Sequence, residues 1–301
     1  MLILGGAEKK RLIASGGTVH TRGRGMNEEI PKNTRVDQTM IATRRPIAPP
    51  VLDALIAARD HALAVSSLLR YDLTDAVQRY LLSYFCTAIE LAGASIALAR
   101  QAESIGIPIL ARSMLEAQVD FGCLLADPAY VDWIEAAHDR EWAKVIDEAI
   151  TAGGAYLGKL GSEPTVRLER DRIAKREADR TGKGIRKLKA MERFRRASMQ
   201  ELYYSVYNFL CAESHNDARA LISRHIKEDS KGVIRLTVYA DDLAFDETSL
   251  MQVHDSMSAM TEGVCGKFSI AEPDRTVVDR TFAAAKRYMV SIDRSAERAK
   301  I

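Results

Sequence analysis

Apolar positions recur at helical spacing over most of the chain, and few segments alternate as strands do. "RRPIAPP" halts anything helical and opens the fold. A first helix is predicted from about Pro50 to Arg70, with Leu52, Leu55, Ile56, Leu63 and Leu68 inward. A second is predicted from Thr74, a suitable N-cap, to Glu103. Gly106-Ile107-Pro108 starts a third, which "DP" ends near Ala126. A fourth spans about 128–152 and stops at Gly153-Gly154. The short loops imply antiparallel neighbours. Residues 163–196 are poor in large apolar side chains, and "TGKG" divides them into a helical hairpin. A long helix over about 197–226 follows, then a β-like excursion near 231–240 turning at "DSKG". Helices over about 246–266 and 274–298 close the chain. The fold class is therefore all-α, a bundle of about six to eight helices forming a single domain over 46–301. Residues 1–45, rich in Gly, Arg and Thr without a period, read as a weakly ordered arm, and Met26 and Met40 offer alternative starts.

Composition narrows the class. Hydrophobic residues make up 47% of the 301, enough for a real core. A net charge of +2 creates no global field toward nucleic acid or membrane. Four separated cysteines in apolar contexts read as reduced core thiols of a cytoplasmic protein. The stretch 81–99 is nearly long enough for a bilayer, but Glu90 at its centre argues for a bundle helix and no membrane role. Only between Arg167 and Arg196 is charge lopsided, with a basic excess of about eight. Arg186, Lys187, Lys189 and Arg193 are its nucleic-acid-binding candidates, and the segment could equally dock a protein partner or be a solvated hairpin. A homo-oligomer is compatible with all of this.

The third helix carries the chemistry. Arg112, Glu116 and Asp120 follow at four-residue spacing, inside roughly 80° of arc. They are the charges of an otherwise apolar stretch in which Leu115, Val119 and Cys123 lie in or beside the stripe. A partly buried polar ladder fits better than a wet face, and a buried Arg needs partners. Glu116 is one turn away, and Glu90, the lone charge of the stretch 81–99, is the cross-helix candidate. A second polar island, "NFLCAESHNDARAL", interrupts the apolar seam that includes Tyr203 and Val206. Either Glu213 and Asp217 or His215 faces the core there, with Tyr207 and Ser214 in support.

"PILARSMLEAQVDFGCLLADPAYVDW" and "LYYSVYNFLCAESHNDARAL" together resemble an uncharacterised, mostly bacterial, all-helical family of the domain of unknown function 5677 type. Its Arg-Ser-x-x-Glu helix, downstream Asp-Pro and Tyr-rich helix ending in Ser-His map to Arg112, Ser113, Glu116, Asp127, Pro128, Ser214 and His215. The resemblance covers about 75–230 and implies a helical fold with a polar site, without an activity. More distantly, the chain resembles HEPN helical proteins, many of them toxin or abortive-infection ribonucleases with an Arg and a His on one helix. Arg219 and His225 fit that spacing, although Ala220 departs from the pattern.

Other chemistries find little support. Glu135 and His138 form a lone Glu-x-x-His where a di-metal bundle needs two, so neither metal nor cofactor is expected. Phosphate-loop and Ser-nucleophile motifs are missing. Two readings stay open. One is a HEPN-like ribonuclease-type toxin or anti-phage effector, with His215 as acid/base, Arg112 on phosphate and Glu116 orienting Arg112. The other is a non-enzymatic interaction module with a buried Arg-Glu-His network.

Overall fold

The computed structural model describes residues 36–42, 47, 49–103, 105–151, 157, 161, 163–215, 217–228, 231, 233–238, 243–270, 276, 279 and 283. Helix α1 (Pro49–Ser66) opens at the proline pair and buries Val51, Leu55, Ala58, Ala62 and Val65. Helix α2 (Ala76–Arg100) is capped by Asp75 rather than Thr74. The Asp75 carboxylate accepts from the Val77 and Gln78 amides, while Thr74 is spent on Asp72. Helix α3 (Ile107–Ala126) has Pro108 in its first turn. Asp127 ends it, and its side chain accepts from the Ala129 amide to start the short 3-10 turn Pro128–Tyr130 before α4 (Val131–Thr151).

Helix α5 (Pro164–Gly182) runs back along α4, and α6 (Ala190–Arg196) returns the chain to α3. The long helix expected over 197–226 is broken into three helices, α7 (Gln200–Leu202), α8 (Asn208–Ser214) and α9 (Ala218–His225). A π-helical turn over Tyr203–Tyr207 lies between α7 and α8. The break after Ser214 falls at Ser-His-Asn-Asp, whose side chains compete with helical hydrogen bonds. Helix α10 (Leu243–Lys267) packs against α1, α2 and α3. The closing helix expected over 274–298 lies outside the described residues apart from isolated positions.

The molecule is all-α with small sheets. Strand β1 (Val36–Ala42) pairs in parallel with β4 (Ile234–Val238), which pairs antiparallel with β3 (Ile226–Glu228). Strands β2 (Leu69–Arg70) and β5 (Ser269–Ile270) pair antiparallel. The β excursion near 231–240 thus contains β4. The arm expected over 1–45 is corrected at its end, because Val36–Ala42 is a strand of the first sheet; residues 1–35 lie outside the described residues.

The core is built from α1, α2, α3 and α10, with Leu55, Leu81, Phe85, Met114, Leu115, Leu124, Leu250, Met257 and Val264 buried. Gly263 lets α10 approach α3, for a Cβ there would sit 2.5 Å from Phe121 Cε1. A buried polar chain fixes the same contact. Gln252 Nε2 donates to Ser256 Oγ at 2.9 Å, and Ser256 donates to Gln118 Oε1 at 2.8 Å. By length and composition α2 could cross a membrane, yet one face packs in this bundle through Leu81, Phe85, Ala88, Ala92 and Ile96. Ala143, Ile146 and Ile173 form a separate small core between α4 and α5.

Candidate functional site

The α3 stripe is a ladder of partly buried charges, and its two ends differ. At the inner end Asp120 accepts from Arg193 Nε at 2.8 Å and Nη2 at 2.5 Å, a bidentate pair reaching across from α6. Tyr130 donates to the same carboxylate at 2.8 Å, and the Tyr84 hydroxyl stands 3.5 Å away. Burial disfavours the Arg193 charge, but the Asp120 carboxylate outweighs it and raises the guanidinium pKa. Burial, then the Asp120 charge, raises both tyrosine hydroxyls far above the usual phenol value. At this end the charges are matched side chain to side chain, with Arg193 22% and Asp120 17% exposed.

Glu116 occupies the middle rung. Its Oε1 accepts from Arg112 Nε at 3.0 Å and from the Tyr207 hydroxyl at 2.9 Å. Its main-chain oxygen accepts from Arg193 Nη2 at 3.3 Å, which joins the rungs. Burial, then the Glu116 charge, raises the Tyr207 hydroxyl, so Tyr207 remains a donor. Cys211 lies beside Tyr207 and Arg112, one helical turn after Tyr207.

The outer rung reaches water. Arg112 Nη1 lies 2.7 Å from His215 Nε2, and the guanidinium carbon is 5.7 Å from the Tyr207 ring centroid. Arg only donates, so in this contact Nε2 is the acceptor. The Arg112 side chain is 22% exposed and His215 is exposed at the end of α8. Arg112 is therefore clamped at Nε and over an aromatic face, while its outer edge meets a histidine at the surface. An oriented cation beside an imidazole acceptor can bind an anion and accept a proton.

The remaining candidates fall elsewhere. Glu90 is exposed and is not a partner of Arg112, which corrects its assignment; the α2 residue that reaches the ladder is Tyr84. Glu90 simply lies on the outward face of α2. Glu213 pairs with Arg224 of α9 with both side chains nearly buried, whereas His215 is exposed and meets Arg112, so of the two alternatives for the core-facing side it is Glu213 that turns inward. That pair ties together the two helices flanking the His215 turn. Ser214 Oγ donates to the Leu210 carbonyl at 2.7 Å, and the Asp217 amide donates to the Ala212 carbonyl at 3.0 Å. His225 Nδ1 lies 3.0 Å from the Thr237 carbonyl, while the Arg219 side chain lies outside the described residues.

Several basic residues of the hairpin are matched by acids of α4. Arg170 grips Asp147, Arg176 and Arg180 share Asp139, and Arg180 also holds Glu135. Among the nucleic-acid candidates, Arg186 pairs with Glu192, Lys187 with Glu141, and Arg193 with Asp120; Lys189 is exposed. Arg193 is thus a ladder member and not a free phosphate contact. Sequence reading missed the roles of Tyr84, Tyr130 and Arg193. Nothing in the sequence separates Arg193 from Arg195 and Arg196 of the same short helix. Glu135 is engaged by Arg180, and among the described residues no group of three His, Cys, Asp or Glu could hold a metal ion.

No curated protein and no solved structure matches the chain. A family model matches residues 78–233, which run from the start of α2 past β3 and include Arg112, Glu116, Asp120, Arg193, Tyr207 and His215. The chain, ladder and all, belongs to the family of unknown function (DUF5677).

Proposed function

We propose that the Arg112–His215 end of the ladder is a phosphodiester site acting on RNA. The carrying observation is the 2.7 Å contact between a carboxylate-oriented, partly exposed guanidinium and the Nε2 acceptor of a surface imidazole. A phosphate oxygen arriving at Arg112 Nη1 replaces His215 Nε2 as the acceptor. The released Nε2 lone pair then takes the proton of the adjacent ribose 2′-hydroxyl. The 2′ oxygen bonds to phosphorus, the bond from phosphorus to the 5′ oxygen breaks, and the departing oxygen takes a proton from water. Arg112 stabilises the charge that builds on the phosphoryl oxygens. Glu116 and Tyr207 hold Arg112 in place and touch no reacting atom.

This chemistry suits a ribonuclease-type toxin or defence effector. A second reading has its own support, since Glu116 also ties α3 to the π turn through Tyr207. On that reading the whole ladder is a structural network of an interaction module. His215→Ala and Arg112→Lys separate them. The site reading expects RNA cleavage to fall at least 100-fold in both variants, with the His215→Ala melting temperature close to the parent. A destabilised His215→Ala variant of a parent that cleaves no RNA would support the module.

A further inference from the structure

Tyr204, at 68%, is the most exposed large hydrophobic side chain among the described residues. Its exposure is not that of a dangling ring. It meets Tyr203 at 5.5 Å with the planes 88° apart. Tyr203 stacks on Tyr207 at 5.4 Å, and Tyr207 carries the Arg112 guanidinium at 5.7 Å. Phe194 packs against Tyr203 and Tyr207 from α6 and holds the row from behind. The π-helical turn Tyr203–Tyr207 supplies all three tyrosines, and such turns recur at functional sites. A continuous row thus runs from the outer rung of the ladder to a fixed aromatic ring in solvent.

We infer that Tyr204 is a base-stacking platform for single-stranded RNA, set beside the Arg112–His215 site. The inference rests on the phosphodiester reading and deepens it by naming the substrate as unpaired RNA. A base in a duplex is covered on both faces by its neighbours, whereas an unpaired base can leave its stack for an aromatic ring. Base–aromatic stacking is also tolerant of sequence, because every base presents a π face to the ring. Tyr204 would position the strand so that a neighbouring phosphate meets Arg112; it is a binding residue and takes no part in proton transfer.

The test uses the full chain and two short labelled 2′-O-methyl oligonucleotides, which cannot be cleaved by 2′-oxygen attack. One carries adenine bases and the other is abasic. Fluorescence anisotropy of the adenine oligonucleotide should weaken about 5- to 150-fold in Tyr204→Ala, the range expected for losing one stacked base. Tyr204→Phe and Tyr204→Trp should stay within about twofold of the parent. Tyr204→Ala should leave the weaker abasic binding unchanged. The inference is overturned if the parent binds both oligonucleotides alike, or if Tyr204→Ala affects both equally. Cleavage of 2′-hydroxyl RNA by a parent whose adenine binding ignores Tyr204 would remove the platform and leave the phosphodiester site. Tyr204-dependent binding with no cleavage would do the reverse.

Discussion

Asp120 and Arg112 occupy the same helical stripe two turns apart, yet their surroundings give them different work. Asp120 is met by Arg193 in two hydrogen bonds and by Tyr130 in a third, with its side chain 17% exposed. Arg193→Met should therefore cost on the order of 2–4 kcal/mol, discounted for that residual exposure, because it strands a carboxylate in a nearly dry place. His215→Ala removes an exposed acceptor and should cost under about 0.5 kcal/mol. Urea midpoints measure both, and equal losses would mean that the two ends of the ladder are alike. Arg112 and Glu116 were legible in sequence because charges at four-residue spacing stand out in an apolar helix. Arg193 was not, since a basic run does not reveal which member folds back on an acid 73 positions earlier. Glu90 misled for a related reason. Its isolation marks it as unusual without saying which face of α2 it occupies.

Helix boundaries set by proline, "DP" and "TGKG" were readable, because those residues change backbone geometry locally. The division of 197–226 was harder, for Tyr203–Tyr207 looks like ordinary helix in sequence and is a π turn with Phe194 packed on Tyr203 and Tyr207. The α4–α5 hairpin shows what pairing does to apparent charge. Burial works to raise the Asp139 pKa, but hydrogen bonds from Arg176 and Arg180 overcome it and hold the carboxylate below its ordinary value. Hydrogen bonds from Arg170 and Arg176 likewise lower Asp147 and Glu169. A depressed carboxylate contributes stability that is complete above its unfolded pKa, about 4, and is lost as pH falls through the folded value. The hairpin should thus loosen below about pH 4. Asp139→Asn should lose about 1–3 kcal/mol at neutral pH and show a flatter acid limb than the parent. Urea titrations by circular dichroism between about pH 3 and 6 check this; a parallel acid limb in the variant would show that Asp139 does not carry the effect.

At the scale of the whole molecule, a rigid four-helix core holds a site at its surface. The core face of α3 is fixed by α10 through Gly263 and the Gln118–Ser256–Gln252 chain, and its polar face is fixed by α6. Arg112 projects from that doubly anchored helix, while His215 comes from the turn where the following helix breaks, clamped by Glu213 and Arg224. On the proposed function, a base on a short turn beside a cation on a doubly anchored helix lets His215 yield to an incoming phosphate without disturbing the core. Incubation of the full chain with a single-stranded RNA, and with the same RNA carrying 2′-O-methyl groups throughout, tests the assignment of Arg112 and His215 most directly. The 2′-hydroxyl RNA should be cut to 2′,3′-cyclic phosphate and 5′-hydroxyl ends, with the 2′-O-methyl RNA bound but intact. Intact 2′-hydroxyl RNA, or cleavage that survives both 2′-O-methylation and His215→Ala, would contradict it.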